Sequence, residues 1–354
     1  MKKYLIASFL LSISAASAYP SRELVEVPNS PSKQTCPLEG YRPPTDAMGG
    51  YIYGEWLFWR VLEGETDYAV KGGPITLPPN QVAMNAIGNL EVAEYDWSSG
   101  FRLGAGWRFT PYRWELEGNY TYYSADGSNA ASRPALQSLN STTPESTSTG
   151  LARARSHIDL SYQMGNLLLA KKFLLDKYLI MRYLFGVTGG WLEQDWKIHY
   201  FGIVPPTTGR NNITHISWSF WNIGLRTGLE GEWYLGKGFG LASTFTAALL
   251  YGQYKNHFRD EVFSLSEPPF NVQNLHSSEK RLVPHFQISF GPKYGKMFDA
   301  WGFSLYALYE LNIFQNLHYV YRHQGGNLGD GRTNLHTNSL TGLHGLTAGA
   351  EVNF

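Results

Sequence analysis

Charged side chains alternate with apolar ones along two neighbouring stretches of the chain. In residues 100–109, Arg102 and Arg108 alternate with aromatic and aliphatic residues, and in residues 112–122, Glu115 and Glu117 do the same. Successive side chains of a β-strand point to opposite faces. Each stretch therefore predicts a strand with one apolar face and one charged face, joined to the other by a tight turn at Thr110 and Pro111.

The charged faces supply candidates for a polar lumen, if the apolar faces turn toward lipid. Ten residues are the candidates to line it: Arg102, Arg108, Arg113, Glu115, Glu117, Arg182, Arg226, Glu230, Glu232 and Glu310. Rings of such side chains can set the selectivity of a channel for small hydrophilic solutes. They can equally form an interior network of ion pairs that only satisfies buried charges. Because both signs occur, the sequence predicts no preference for anions or cations.

Two histidine and aspartate pairs suggest general-base chemistry as an alternative. His157 lies two positions from Asp159, on the same strand face, and Asp195 lies four positions from His199. No serine follows in a motif that signals an activated nucleophile, so we interpret both pairs as polar residues at a wet rim. The sequence holds no metal-binding spacing, phosphate loop or nucleotide fingerprint. We therefore expect neither an enzyme nor a cofactor.

Composition favours strands and turns over helices. Of 354 residues, 15% are aromatic, 16% are charged and 37 are glycine. The 29 Lys and Arg balance the 29 Asp and Glu, which gives no reason to expect a nucleic acid as partner. The single cysteine, Cys36, excludes a disulfide within the chain but allows one between two chains.

The N-terminal segment is typical of export from the cytoplasm. Lys2 and Lys3 precede an apolar run from Leu5 to Ile13 and the small residues 16–18. We predict a cleaved signal peptide at residues 1–18, since the apolar run is far shorter than the roughly 20 residues of a membrane-spanning helix. Residues 19–48 are rich in proline and predict a periplasmic leader before a barrel at residues 49–354.

From Gly49 onward, about ten alternating segments are separated by connections that are in turn short and long. We predict long connections near residues 62–96, 124–155, 193–215, 260–280 and 318–338. The predicted fold is all-β: a transmembrane antiparallel up-and-down β-barrel with short periplasmic turns and long outer loops. Apolar residues 82–90 leave open a further hairpin and twelve strands. A mean hydropathy of -0.28 is compatible with this fold, because only alternate positions need to be apolar.

A soluble β-sandwich would also alternate. Three features favour the membrane barrel instead. Aromatic residues gather at the ends of the segments, where they would meet lipid head groups, and the segments approach the about 9 to 11 residues of a tilted membrane strand. The chain also ends in an alternating strand, Leu346 to Phe354, that resembles the sorting signal of outer-membrane barrels.

Several motifs resemble the pore-forming major outer membrane protein family of Legionella, shared with chlamydial relatives. They are spread over most of residues 50–354 and are Gly54–Trp59 with Asp67–Ala69, Trp97–Gly106, Phe220–Glu230, Leu249–Gly252, Tyr309–Glu310 and Gly345–Thr347. The resemblance implies a pore-forming barrel and does not define its substrates.

We therefore expect a porin-like outer-membrane channel for passive diffusion of small hydrophilic solutes and ions. A surface adhesin, or a structural envelope protein with a plugged lumen, is the alternative, and an outer-membrane hydrolase is a third. The expected partners are outer-membrane lipid and lipopolysaccharide, the barrel assembly machinery through the strand ending in Phe354, a second copy of the chain, and a disulfide partner for Cys36.

Overall fold

The computed structural model describes residues 49–74, 88–109, 114–133, 137–142, 151–176, 178–202, 211–263, 270–298, 301–323 and 334–354. The predicted signal peptide, the leader and Cys36 lie outside these ranges. Within them, no helix is long and apolar enough to cross a membrane.

Thirteen strands run through the described ranges. They are β1 (Gly49–Glu63), β2 (Asp67–Pro74), β3 (Asn89–Val92), β4 (Ser98–Phe109), β5 (Trp114–Ser132), β6 (Gln137–Ser141), β7 (Leu151–Asp176), β8 (Leu179–Gly202), β9 (Asn211–Gly236), β10 (Phe239–Phe263), β11 (Phe270–Met297), β12 (Gly302–His323) and β13 (Asn334–Asn353).

Ten of these strands close into one antiparallel barrel, in the order β1-β13-β12-β11-β10-β9-β8-β7-β5-β4. The first strand pairs with the last, Tyr51 opposite Asn353, and so leaves no open edge. Closure satisfies the backbone N–H and C=O groups, which could not find partners in lipid. The predicted barrel and its ten strands are confirmed, and the twelve-stranded alternative is not. Residues 89 and 90 of the possible extra hairpin belong to β3, outside the barrel, and residues 82–87 are not described.

The half of the barrel near the short turns is apolar outside and polar inside. On β9, Trp221, Ile223 and Leu225 are exposed, whereas Asn222 and Arg226 are buried in the lumen. Outward side chains of the other strands follow the same rule and form an apolar band around this half: Trp56, Leu103, Trp107, Leu167, Phe185, Trp191, Leu249, Tyr251, Leu282, Ile288, Phe290, Leu305 and Leu346.

The other half reverses this pattern. On β9, Ile216, Trp218 and Phe220 point inward and are buried, while His215 and Ser217 point outward. Strand β8 continues likewise past Trp191. The side chains still alternate, but the apolar positions move from the outer face to the inner face, as expected where the barrel leaves lipid and encloses its own core.

This reversal extends the strands beyond the predicted bounds. Strand β8 runs to Gly202, β10 to Phe263 and β12 to His323. The predicted connections 193–215, 260–280 and 318–338 were thus too long, and the intervals between these strands are 203–210, 264–269 and 324–333. The prediction was wrong here because it assigned a strand only where the outer face is apolar, and these strand ends have a polar outer face.

A small sheet, in the order β3-β2-β6, forms within the first and second outer connections. Three of its side chains are buried: Tyr68 and Ala69 of β2 and Leu139 of β6. They belong to the same apolar cluster as the inward side chains of the barrel half with the long connections. The Tyr200 hydroxyl on β8 donates a hydrogen bond to the Tyr68 carbonyl at 2.7 Å, which ties this sheet to the barrel.

Candidate functional site

A charged chamber occupies the lumen in the half that carries the apolar band. Its cavity has a volume of about 170 Å³. Nine of the ten candidate residues line it, together with Glu55, Lys172, Lys293 and Glu351: Arg102, Arg108, Glu115, Glu117, Arg182, Arg226, Glu230, Glu232 and Glu310. The tenth candidate, Arg113, lies outside the described residues. Alternation places them there, since each occupies an inward position of its strand.

Arg182 holds together one side of the chamber. Its guanidinium donates hydrogen bonds to Glu115 at 2.9 Å, to Glu230 at 2.7 Å and to Glu117. It also reaches the Tyr51 hydroxyl at 3.0 Å, which comes from a strand four places away in the ring. Arg182 therefore links strands β1, β5, β8 and β9 across the lumen.

Arg102 organises the opposite side in the same way. It forms ion pairs with Glu55 at 2.6 Å and Glu310 at 2.8 Å, and donates a further bond to Thr121 at 2.9 Å. The Glu310 carboxylate also accepts hydrogen bonds from Gln287 and Thr347. Such dense pairing offsets the free energy that taking these charges out of water costs.

Arg226 differs from the other two arginines. Its guanidinium donates to the Thr246 hydroxyl at 2.7 Å and to the Asn166 amide oxygen at 2.9 Å, both of which are neutral groups. Within the described ranges, no carboxylate lies within ion-pair distance of Arg226. It is a lumen cation whose charge is not balanced by a direct partner.

An aromatic plug lies next to the charged chamber, toward the end of the barrel that carries the long connections. Its inward side chains are buried and come from seven strands: Trp59, Tyr123, Tyr162, Trp196, Trp218, Phe220, Tyr254 and Phe314. The rings contact one another, with centroids 5.5 Å apart for Trp59 and Tyr123 and 5.7 Å apart for Trp218 and Tyr254. The plug fills the lumen at this level.

Tyr95 completes the closure from the connection between β3 and β4. Its hydroxyl donates to the Glu63 carboxylate at 3.1 Å and accepts from the Gln194 amide at 2.6 Å. Glu63 lies on β1 and Gln194 on β8, four places apart in the ring. The buried His318 ring lies 3.1 Å from Glu63. A polar bridge thus crosses the lumen beyond the rings.

Sequence reasoning missed both the plug and this bridge. The signal that would have found them is the shift of apolar residues to the inward positions, for example Leu192, Trp196 and Ile198 on β8. Tyr95 has no such signal, because it lies outside any strand and its partners come from distant strands.

The two histidine and aspartate pairs lie on the outer wall rather than in the lumen. His157 Nε2 is 3.2 Å from Asp159, and His157 Nδ1 is 2.8 Å from the Ser128 hydroxyl. All three side chains are exposed, with about half of the His157 and Asp159 side-chain surfaces open to water, 51% and 49%. In catalytic triads the carboxylate that orients the histidine is buried, whereas about half of the Asp159 side chain is open to water.

Asp195 pairs with a residue other than the one expected. Its carboxylate contacts His215 Nε2 at 2.6 Å and Lys197 at 3.2 Å, instead of His199. Burial alone would raise the pKa of Asp195, but hydrogen bonds and charges from His215 and Lys197 together lower it. Burial and the nearby Arg155 and Lys197 lower the pKa of His199. In the described part of the chain, no group of three His, Cys, Asp or Glu side chains could hold a metal ion.

A closed ring of ten antiparallel strands, apolar where it would meet lipid and charged within, defines an outer-membrane β-barrel. The chain belongs to the family described as Legionella pneumophila major outer membrane protein precursor, whose model matches residues 51–354. The predicted family and the location in the bacterial outer membrane are thereby confirmed.

Two solved structures are distantly similar to this chain. The outer membrane protease OmpT from Escherichia coli is 10% identical, with a TM-score of 0.41, over 88% of this chain and 100% of that one. A Pseudomonas aeruginosa FadL homologue is 7% identical, with a TM-score of 0.28, over 87% of this chain and 90% of that one. No curated protein matches the sequence.

Proposed function

We propose that this barrel is a porin-like channel for passive diffusion of ions and small hydrophilic solutes. The charged chamber is the observation that carries the proposal. It places both signs of charge along the stretch of lumen that the apolar band surrounds, where a solute would otherwise meet a purely apolar barrier.

The lumen arginines are unequally paired, which supports a local contact for anions in a chamber whose six basic and seven acidic side chains nearly balance. Arg102 and Arg182 are each surrounded by carboxylates, so their fields are largely cancelled within the chamber. Arg226 has neutral partners and leaves a net positive potential on its side of the cavity. A small anion would find its first contact there.

Passage through the lumen requires the aromatic plug to move. The cavity ends below rings that touch across the barrel, and Tyr95 bridges the walls above them. We therefore propose that the structure is a closed state and that conduction occurs in brief openings. Such an opening requires both the rings and the Tyr95 bridge to move, while the strand ladders stay in place.

A structural envelope protein is the second candidate, and the plug is the observation that favours it. Among the described residues, 32 buried side chains form one apolar cluster, most of them in the barrel, which a permanently filled lumen would also require. No hydrolytic activity is proposed, because the Asp159 carboxylate that would orient His157 is half open to water.

The two functions differ in solute flux. We expect liposomes that contain the refolded barrel to swell in small neutral sugars faster than empty liposomes, at a rate that falls as the sugar becomes larger. A barrel whose mobility on a gel changes after boiling is folded, and this shift serves as the control. Swelling equal to that of empty liposomes, from a folded barrel, would favour the structural role.

A further inference from the structure

A polar groove runs along the outer wall where the apolar band ends. On β8 and β9 the band ends at Trp191 and Trp221, whose exposed rings are typical of the level of lipid head groups. On β11, Lys280 is the next outward residue beyond the exposed Leu282. The groove has a volume of about 700 Å³ and adjoins this level.

Small hydroxyl side chains form the floor of the groove. Six outward residues are consecutive cross-strand partners from β5 to β11: Ser124, Ser161, Glu193, Ser219, Lys255 and Ser278. Four of the six are serines, which leave room above the sheet and present hydroxyl groups. Hydroxyl groups at this spacing suit a sugar head group, since they both donate and accept hydrogen bonds.

The two ends of the groove carry opposite charge. At the β7 and β8 end, Asp159 pairs with His157 at 3.2 Å, and Asp195 pairs with His215 at 2.6 Å and with Lys197 at 3.2 Å. Asp159 and Asp195 therefore already have cationic or imidazole partners, whereas Glu193, in the floor between the two ends, forms no ion pair within the described ranges.

The β10 and β11 end is basic. Lys255 lines this end, and Lys280 lies beside it, one outward position nearer the apolar band than Ser278; in the described part of the chain neither lysine forms an ion pair. The imidazoles of His257 and His276 stack beside them, with centroids 4.0 Å apart. This end offers two ammonium groups and two imidazoles to an anion, at the depth where phosphates of the outer leaflet lie.

From this arrangement we infer that the groove binds the phosphorylated sugar head group of an outer-leaflet glycolipid. Lys255 and Lys280 contact a phosphate, the serine floor contacts the sugar, and the acyl chains lie along the apolar band. The occupant is a lipid because the groove continues directly into the lipid-facing surface. This inference is independent of whether the barrel conducts.

The test measures binding of bisphosphorylated lipid A to the folded full-length barrel in an uncharged detergent, by isothermal titration calorimetry at low salt. We expect the double variant Lys255→Gln, Lys280→Gln to bind at least about 10-fold more weakly than the natural chain, because surface lysines attract anionic lipid additively. The double arginine variant should restore binding. The difference should shrink as salt is added.

Two controls make the result specific. Lys237→Gln changes a lysine in the turn between β9 and β10, at the other end of the barrel, and should bind like the natural chain. Lipid A without phosphates should bind the natural chain and the double variant alike. The inference is overturned if the folded double variant binds bisphosphorylated lipid A within twofold of the natural chain, or if Lys237→Gln weakens binding equally.

Discussion

The rings of Tyr162 and Phe314 lie with their centroids 6.0 Å apart, in an edge-on contact. Tyr162 belongs to β7 and Phe314 to β12, which stand five places apart in a ring of ten strands. Residues on opposite walls of a barrel can touch only if their side chains meet across the lumen. This one contact therefore defines the level at which the lumen is closed.

Shortening one of these two rings should open that level. We expect Tyr162→Ala to raise either the conductance of the refolded barrel, by severalfold, or the fraction of time that the channel is open. The reason is that the ring that contacts Phe314 is lost. Current through single barrels in a planar bilayer measures both quantities. Tyr120→Ala is the control. It removes an outward-facing tyrosine ring from the neighbouring strand β5 and should leave both quantities unchanged. Equal currents from all three folded proteins would show that the plug is not the barrier.

Removing Arg182 should destabilise the barrel more than removing an exposed arginine. Arg182→Ala would leave Glu115, Glu117 and Glu230 without their shared cation, and breaking a buried pair in this way costs about 3 to 5 kcal/mol. Arg259→Ala is the matched control, because Arg259 pairs with Glu261 on the exposed wall, where such pairs contribute about 0 to 1 kcal/mol. Urea unfolding of the barrel in detergent, followed by tryptophan fluorescence, measures both changes. A smaller loss for Arg182→Ala than for Arg259→Ala would contradict the role given to this network.

The exposed histidine cluster should have no part in hydrolysis. We expect His157→Ala and His199→Ala to leave any measured cleavage of phospholipids or peptides at the level of the natural chain, since the Asp159 carboxylate beside His157 is half open to water and Asp195 pairs with His215 rather than with His199. The assay compares the refolded natural chain, both variants and empty micelles. Hydrolysis by the natural chain that disappears in His157→Ala would establish a catalytic role for this cluster instead.

The sequence predicts well the half of the barrel near the short turns, because lipid requires apolar side chains at the outward positions there. Outward positions such as Leu103 and Trp107 must be apolar, which leaves the charged residues between them to face inward. From that rule alone, the sequence places Arg102 and Arg108 on the inner face. It does not give their partners, because the pairing of Arg102 with Glu310 depends on a register between strands 208 residues apart in sequence.

The other half of the barrel was harder to predict, since beyond the lipid the apolar side chains occupy inward positions instead of outward ones. Trp196 and Trp218 are inward there, and outward positions are free to carry Asp195 or His215. In the sequence, a strand with a polar outer face has the same pattern as an exposed connection that contains scattered apolar residues. The position of Tyr95 depends on tertiary contacts alone and could not be predicted from any local pattern.

Our claim that the charged chamber conducts can be tested by recording single channels of Arg226→Ala beside the natural chain in a planar bilayer. In a salt gradient we expect discrete current steps from the natural chain. In Arg226→Ala the reversal potential should shift toward cations, because the one chamber arginine with neutral partners is lost. Arg102→Ala should also change the conductance, while Lys237→Gln should not. Folded barrels whose conductance and reversal potential stay the same in Arg226→Ala and Arg102→Ala would contradict the claim.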